Sequence, residues 1–214
     1  TILAEDSIYF DRLVQKYTTA DFTMAMLTNE EKAYIAAHPK LVVAVLNDDA
    51  PYHSEGSNKV HKGIIPSFYA KLAKLTGFTV TYKHYQTNAQ AMQAVLNGEA
   101  DVVGLYANGQ IAATTSGLRL TRPYDNVDAV LLTKANTGMT VKTCFEALKN
   151  KEVDGIICGM PSATWLVNQS PLAAYKITTL DATAIDLCAA TAYDNPLLCS
   201  ILSKAISAAS ISFN

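Results

Sequence analysis

Apolar residues recur along this chain in two alternating rhythms. "LVVAVLN" (41–47) is a short continuous run rich in β-branched residues, which predicts a strand buried on both faces. The polar stretch "DDAPYHSEGSN" follows and reads as a loop at that strand's carboxyl end. "GIIPSFYAKLAKLTG" then has a helical spacing, with Gly77 as its C-cap. "FTVTYKHY" is a strand, "TNAQAMQAVLNG" a helix capped by Thr87 and ended near Gly98, and "ADVVGLYA" another buried strand. This alternation predicts an α/β domain with a parallel sheet. On the flanks, "TILAEDSIYFDRLVQKYTTA" is a helix with Ile8, Tyr9, Leu13, Val14 and Tyr17 on its apolar face. "LTNEEKAYIAAHP" is a second, with Thr28 and Glu31 as a capping box and Pro39 as the stop. "RPYDNVDAVLLTK" is a strand with its own turn. The remainder predicts a helix ("PSATWLVNQ"), two strands ("AYKITTL", "AIDLCAATA") and a closing helix ("NPLLCSILSKAISAA").

One pattern occurs twice. "AVLNGEADVVGLY" (94–106) and "ALKNKEVDGIICG" (147–159) share Ala, Asn, Glu and Asp at matching positions. Each reads as a helix end, a tight turn and a buried strand, with Asn97 or Asn150 as the residue that tolerates a left-handed backbone. Two copies predict two facing lobes, since a solenoid needs at least three. About 55 residues with two strands and a helix precede the first copy. Only "ANTGMTVKTC" precedes the second, although one βαβ unit takes roughly 30 residues. The second lobe is therefore expected to be either eroded or short of its front half, with the gap in the second case near Asn136–Met139.

Composition narrows the function classes. Half the residues are hydrophobic and 17% are charged, as in a folded globular chain. A net charge of −2 without a basic stripe argues against nucleic acid or an anionic membrane as partner. No apolar run approaches the roughly 20 residues of a spanning helix. Cys144, Cys158, Cys188 and Cys199 lack metal-site spacing and read as small buried apolar residues. One disulfide stays open for an oxidising compartment, with no pair assigned.

The ordered set "LVVAVLNDDAPYHSEG", "GIIPSFYAKLAKLTGFTVTY", "AMQAVLNGEADVVG", "LRLTRPY" and "CFEALKNKEVDGIICGMPSATWLV" resembles extracellular solute-binding protein family 3. These are the type II periplasmic binding proteins and their relatives fused to bacterial sensors. The resemblance implies a two-lobed α/β fold of the type II periplasmic-binding-protein kind, with a truncated second lobe. Its parts would be a helical segment (1–40), lobe one (41–133), lobe two (134–187) and a return crossover with a closing helix (188–214). "LTNEEKAYIAAHPKLVVAV" resembles the junction that opens each module in tandem sensors, and "AEDSIYFDRLVQKY" resembles the tail that ends many family members, so residues 1–20 would either close a preceding module or pack as this domain's own tail. The implied function is an extracytoplasmic ligand-sensing module, tethered to a membrane through other parts of the full-length protein. The alternatives are a non-binding spacer and a transport solute-binding component.

Aligned with the family, Asp49, Tyr52 and His53 fall on the first ligand loop, and Tyr52 matches an aromatic that stacks on ligand. Tyr106 and Asn108 end the first motif's strand, and the loop around Met160 and Ser162 follows the second's. His53 and His61 are too weakly spaced on a loop to predict a metal site, and no cofactor is expected. The anchors of an amino-acid binder are absent: the arginine position holds Ala113, and the acid of lobe two is Gly159. The expected ligand is therefore a small polar metabolite other than an ordinary α-amino acid. Asp49, Glu55 and His53 have no paired carboxylate, nucleophile elbow or phosphate loop beside them, so the sequence predicts no enzyme.

Overall fold

The computed structural model describes residues 26–47, 49–135, 146–150, 152, 154–169, 177–180 and 184–211. The helix predicted over 1–20, Asp48, Cys144 and the segment near Asn136–Met139 lie outside them.

The capping box forms as predicted. Glu31 N donates to Thr28 Oγ1 (3.2 Å) and Thr28 N to Glu31 Oε2 (2.7 Å), opening α1 (Asn29–Ala37). The chain then enters β1 (Lys40–Leu46), makes a hairpin of β2 (Ser54–Glu55) and β3 (His61–Lys62), and continues as α2 (Ile64–Thr76), β4 (Thr79–Tyr85), α3 (Asn88–Leu96) and β5 (Val102–Tyr106). A short helix absent from the sequence prediction, α4 (Gly109–Thr115), leads to β6 (Leu118–Val127). β7 (Ala129–Ala135), β8 (Asp154–Gly159), α5 (Met160–Gln169) and β9 (Ile177–Thr179) follow, and β10 (Ile185–Ala192) and α6 (Pro196–Ile211) close the described chain.

These strands make two main sheets. The first has the order β4-β1-β5-β10-β6, and the second β8-β7-β9. β1 is parallel to β4 and β5, whereas β10 is antiparallel to β5 and β6, so the sheet predicted as parallel is mixed. The antiparallel pair arises because β6 and β10 carry the chain out to the second sheet and back. The chain crosses at Asp128 and again between Leu180 and Ile185.

β1 is buried on both faces, as its unbroken apolar run requires. Leu41, Val43 and Val45 face a core that includes Tyr69 and Leu72 of α2 and Leu198, Ile201 and Leu202 of α6. Ala44 faces a second core with Ala91, Ala94 and Val95 of α3. Each such Val or Leu contributes about 1.5–3 kcal/mol by leaving water. Lobe two has its own core, with Val130, Leu148, Ile156, Ala163 and Leu166.

The doubled motif folds as a repeat. Glu99 N donates to Ala94 O (2.8 Å), and Glu152 N donates to Ala147 O (2.9 Å). Asn97 and Asn150 donate in the same way to the carbonyls four residues back, and Ala94 and Ala147 are equally buried. One detail corrects the sequence reading. Asn97 is right-handed (φ −84°), and the left-handed residue is Gly98 (φ 73°), where no Cβ opposes that backbone. In the first copy the Asp101 carboxylate accepts from Val42 N (2.7 Å), pinning β5 to β1.

Glu31 also joins α1 to α6. It is 2% exposed, and its carboxylate takes bonds from Ser200 Oγ and Lys204 Nζ, each at 2.7 Å. Burial alone would raise its pKa, but the Lys204, Ser200 and Thr28 donors outweigh burial and hold it below the ordinary value. A depressed carboxylate pKa stabilises the fold above the unfolded value and loses that contribution as pH falls through the folded one. Glu31→Ala is therefore expected to cost about 2–4 kcal/mol at pH 7, through the lost cap and the stranded ammonium. The deficit should shrink below about pH 4, as read by urea unfolding at both pH values.

Candidate ligand cleft

The loop after β1 is set by α2. Its first amides are helix N–H groups without intrahelical partners. Ile64 N donates to Pro51 O (3.2 Å) and Ile65 N to Tyr52 O (2.9 Å). Gly63, at φ 120°, makes this approach feasible, since a Cβ there would lie 2.5 Å from Tyr52 O. At the loop's start, Tyr52 N (2.7 Å) and His53 N (3.0 Å) both donate to Asp49 O. The loop is thus fixed at both ends, and Tyr52 is aimed across to the second sheet.

There the Tyr52 hydroxyl faces the Ser162 side chain, in the first turn of α5, and both line one cavity. It also stands 3.0 Å from the point where a Cβ on Gly159 would be. The same Cβ would lie 3.1 Å from Val127 Cγ2. The bare backbone of Gly159 is what lets a lobe-one tyrosine reach lobe two. Burial raises the Tyr52 pKa while Ser162 opposes it, so the hydroxyl stays protonated at neutral pH.

Beside this bridge lies a cavity of about 230 Å³, below the usual 300–1,000 Å³ of small-molecule sites. Its walls come from the carboxyl ends of β1 and β5, from Val127 and Ile185 near the crossovers, and from Ile157 to Gly159 and Ser162 of lobe two. Asp49 and Tyr52 complete it. The lining is largely aliphatic and, among the described residues, includes no arginine, lysine or histidine. Burial pushes the Asp49 carboxyl up to about 7, with no cation among the described residues to offset it. A larger groove of about 590 Å³ runs between α2, β6 and α6, but lobe one alone walls it.

Asp49, Tyr52 and Ser162 thus converge, while the other sequence candidates do not. His53 is 1% exposed and turns to the outer edge of lobe one, where burial and the neighbouring His84 and His61 lower its pKa to about 4. Tyr106 is buried in the α3 core. The reason is a bulge in β5: Cys188 pairs with Tyr106 but Ala190 with Val103, so β5 spends one residue more than β10. That extra residue shifts strand parity, and Leu105 and Ala107 line the cavity instead. Asn108 is exposed before α4, and Met160 packs against the lobe-two core. Ala113, the position of the absent arginine, is fully buried in α4's contact with lobe one and could not address a ligand. Cys158, Cys188 and Cys199 are buried, and none forms a disulfide among the described residues.

Solved structures share this overall fold. The Bordetella pertussis BvgS VFT2 domain matches with a TM-score of 0.76 at 22% identity, over 86% of this chain and 96% of that one. The fold is that of a periplasmic-binding-protein-like domain. A histidine kinase sensor domain described as similar to periplasmic binding proteins matches this binding-protein-like domain with a TM-score of 0.70 at 14% identity, over 83% of this chain and 96% of that one. An ancestral arginine-binding protein bound to arginine matches with a TM-score of 0.67 at 17% identity, over 81% and 96%. No protein-family model and no curated protein matches the chain. The likeness is therefore one of fold, and the predicted membership of solute-binding family 3 rests on the sequence resemblance. Among the described residues no helix is long and apolar enough to cross a membrane.

Proposed function

We propose that this chain is an extracytoplasmic ligand-sensing module of a membrane-anchored bacterial receptor, closing two lobes around a small molecule. The single observation that carries this reading is the cleft at the strand ends, bridged by Tyr52 and floored by Asp49 and Ser162. The likeness to sensor domains supports it. The ligand has a cationic or strongly hydrogen-bond-donating end for Asp49 and a small apolar body for the aliphatic walls. An ordinary α-amino acid would bring a carboxylate for which the cleft offers no cation among the described residues. The ligand favours the closed state by its differential affinity for closed over open. The Tyr52–Ser162 contact already biases that equilibrium, which limits how far any ligand can shift it.

Tyr52 in the ligand's place also favours a second reading: a module held shut by its own side chains that acts through contacts with its neighbours. Thermal-shift and calorimetric screening of small amines and neutral metabolites separates the two. A sensing module is expected to give a hit whose affinity drops more than about tenfold in Asp49→Asn, the loss of one charged hydrogen bond. If nothing stabilises the wild type and Tyr52→Ala leaves receptor output unchanged, the sensing reading fails.

A further inference from the structure

The chain has four histidines, and the fold gathers three of them at one place. His53 follows the cleft tyrosine, His61 opens β3, and His84 lies near the end of the edge strand β4. Sequence spacing separates them, but the hairpin folds back over β4. There the alternation of "TYKHY" puts His84 on the same face as Tyr82. One nitrogen from each ring lies within 4.8 Å of the other two. His53 Nε2 stands 3.1 Å from His61 Nδ1. Two imidazole nitrogens on one tetrahedral zinc, at ~2.0–2.1 Å each, stand roughly 3.3 Å apart, so this pair is already close to ligand spacing.

The surroundings suit a cation. His84 Nε2 is buried, has no hydrogen bond among the described residues, and faces Glu55 Oε2 at 3.5 Å. A crevice of about 400 Å³ lined by Asn47, His53, Glu55, His84 and Gln86 gives access. Glu55 supplies one negative charge against the ion's two. Imidazole nitrogens with a carboxylate match zinc and its borderline neighbours, and do not match calcium or magnesium.

The geometry points to a divalent transition-metal site, of the zinc class, formed by His53, His61 and His84 with Glu55 beside them. It lies outside the ligand cleft and is independent of what the cleft binds. A bound ion would fasten the β2–β3 hairpin to β4 and so stiffen the loop that carries Asp49 and Tyr52.

The test is calorimetric titration of the 214-residue chain with zinc chloride, paired with cobalt(II) absorption as a report of four-coordinate geometry. One ion per chain is expected, with the thermal midpoint rising by about 5–10 °C at roughly hundredfold excess over Kd. Backbone amides of residues 49–62 should gain exchange protection. His61→Ala and His84→Ala, chosen because His53 is a core residue, should each abolish the cobalt spectrum. Glu55→Gln should weaken zinc about tenfold. His38→Ala changes the one histidine outside the cluster and should bind like wild type. Absence of stoichiometric zinc binding would overturn the assignment. So would equal binding by His84→Ala and wild type, or an equal loss in His38→Ala.

Discussion

Replacing Gly159 with glutamate is expected to part the two lobes. Even a single methyl group at this position would stand 3.0 Å from the Tyr52 hydroxyl and 3.1 Å from Val127, closer than such contacts normally come. Gly159→Ala should cost about 1 kcal/mol, because Tyr52 can yield by a few tenths of an ångström. A glutamate must displace Tyr52 from its place beside Ser162 and bury a carboxylate in a largely aliphatic cavity. Overpacking of ~1–3 kcal/mol and several more for the unpaired charge together exceed what one tyrosine contact can hold. Small-angle scattering should therefore show a larger radius of gyration for Gly159→Glu than for wild type. Adding Tyr52→Ala removes the clash and should return the radius toward the wild-type value. If Gly159→Glu scatters like wild type, Tyr52 is not what occupies the cleft.

That result would also explain which parts of the site could be read in the sequence. The doubled motif announced two lobes because its helix end, turn and strand are local structures, fixed by residues within a dozen positions. Thr28, Thr87 and Gly77 announced helix ends for the same reason. Aligning the second copy marked Gly159 as the place where the family resemblance puts an acid. What no local pattern could tell was that a tyrosine more than 100 positions earlier fills the space. Tyr106 was misplaced because a bulge changes strand parity without leaving a mark in the sequence, and Asn108 because it opens a short helix that the sequence did not predict. His53 and His61 looked like a weak pair because His84, the third member, comes from a different strand. Only the fold of the hairpin onto β4 supplies that juxtaposition.

Asp49 gives the second large effect, and it should appear as a pH dependence. Its carboxyl is half-buried beside Tyr52 with no cation against it among the described residues, and desolvation raises its pKa from 3.8 to about 7. The folded state therefore holds a proton that the unfolded state releases near pH 4. Between those values the native chain binds more protons, so stability falls as pH rises from about 4 to about 7 and stays low above that. Asp49→Asn keeps the shape and removes the charge. The variant should be more stable than wild type by about 2–4 kcal/mol at pH 8 and nearly equal to it at pH 4. Urea unfolding at the two pH values measures the difference, and a gain that is the same at both would rule out a buried ionisable Asp49. The same proton is a probe of ligand. A cation that pairs with Asp49 draws its pKa down, so binding should release a proton near pH 6, and the heat of binding should vary with the ionisation enthalpy of the buffer. A neutral ligand that only fills the aliphatic walls would show neither effect. Proton release on binding thus distinguishes a cleft that reads charge from one that reads shape.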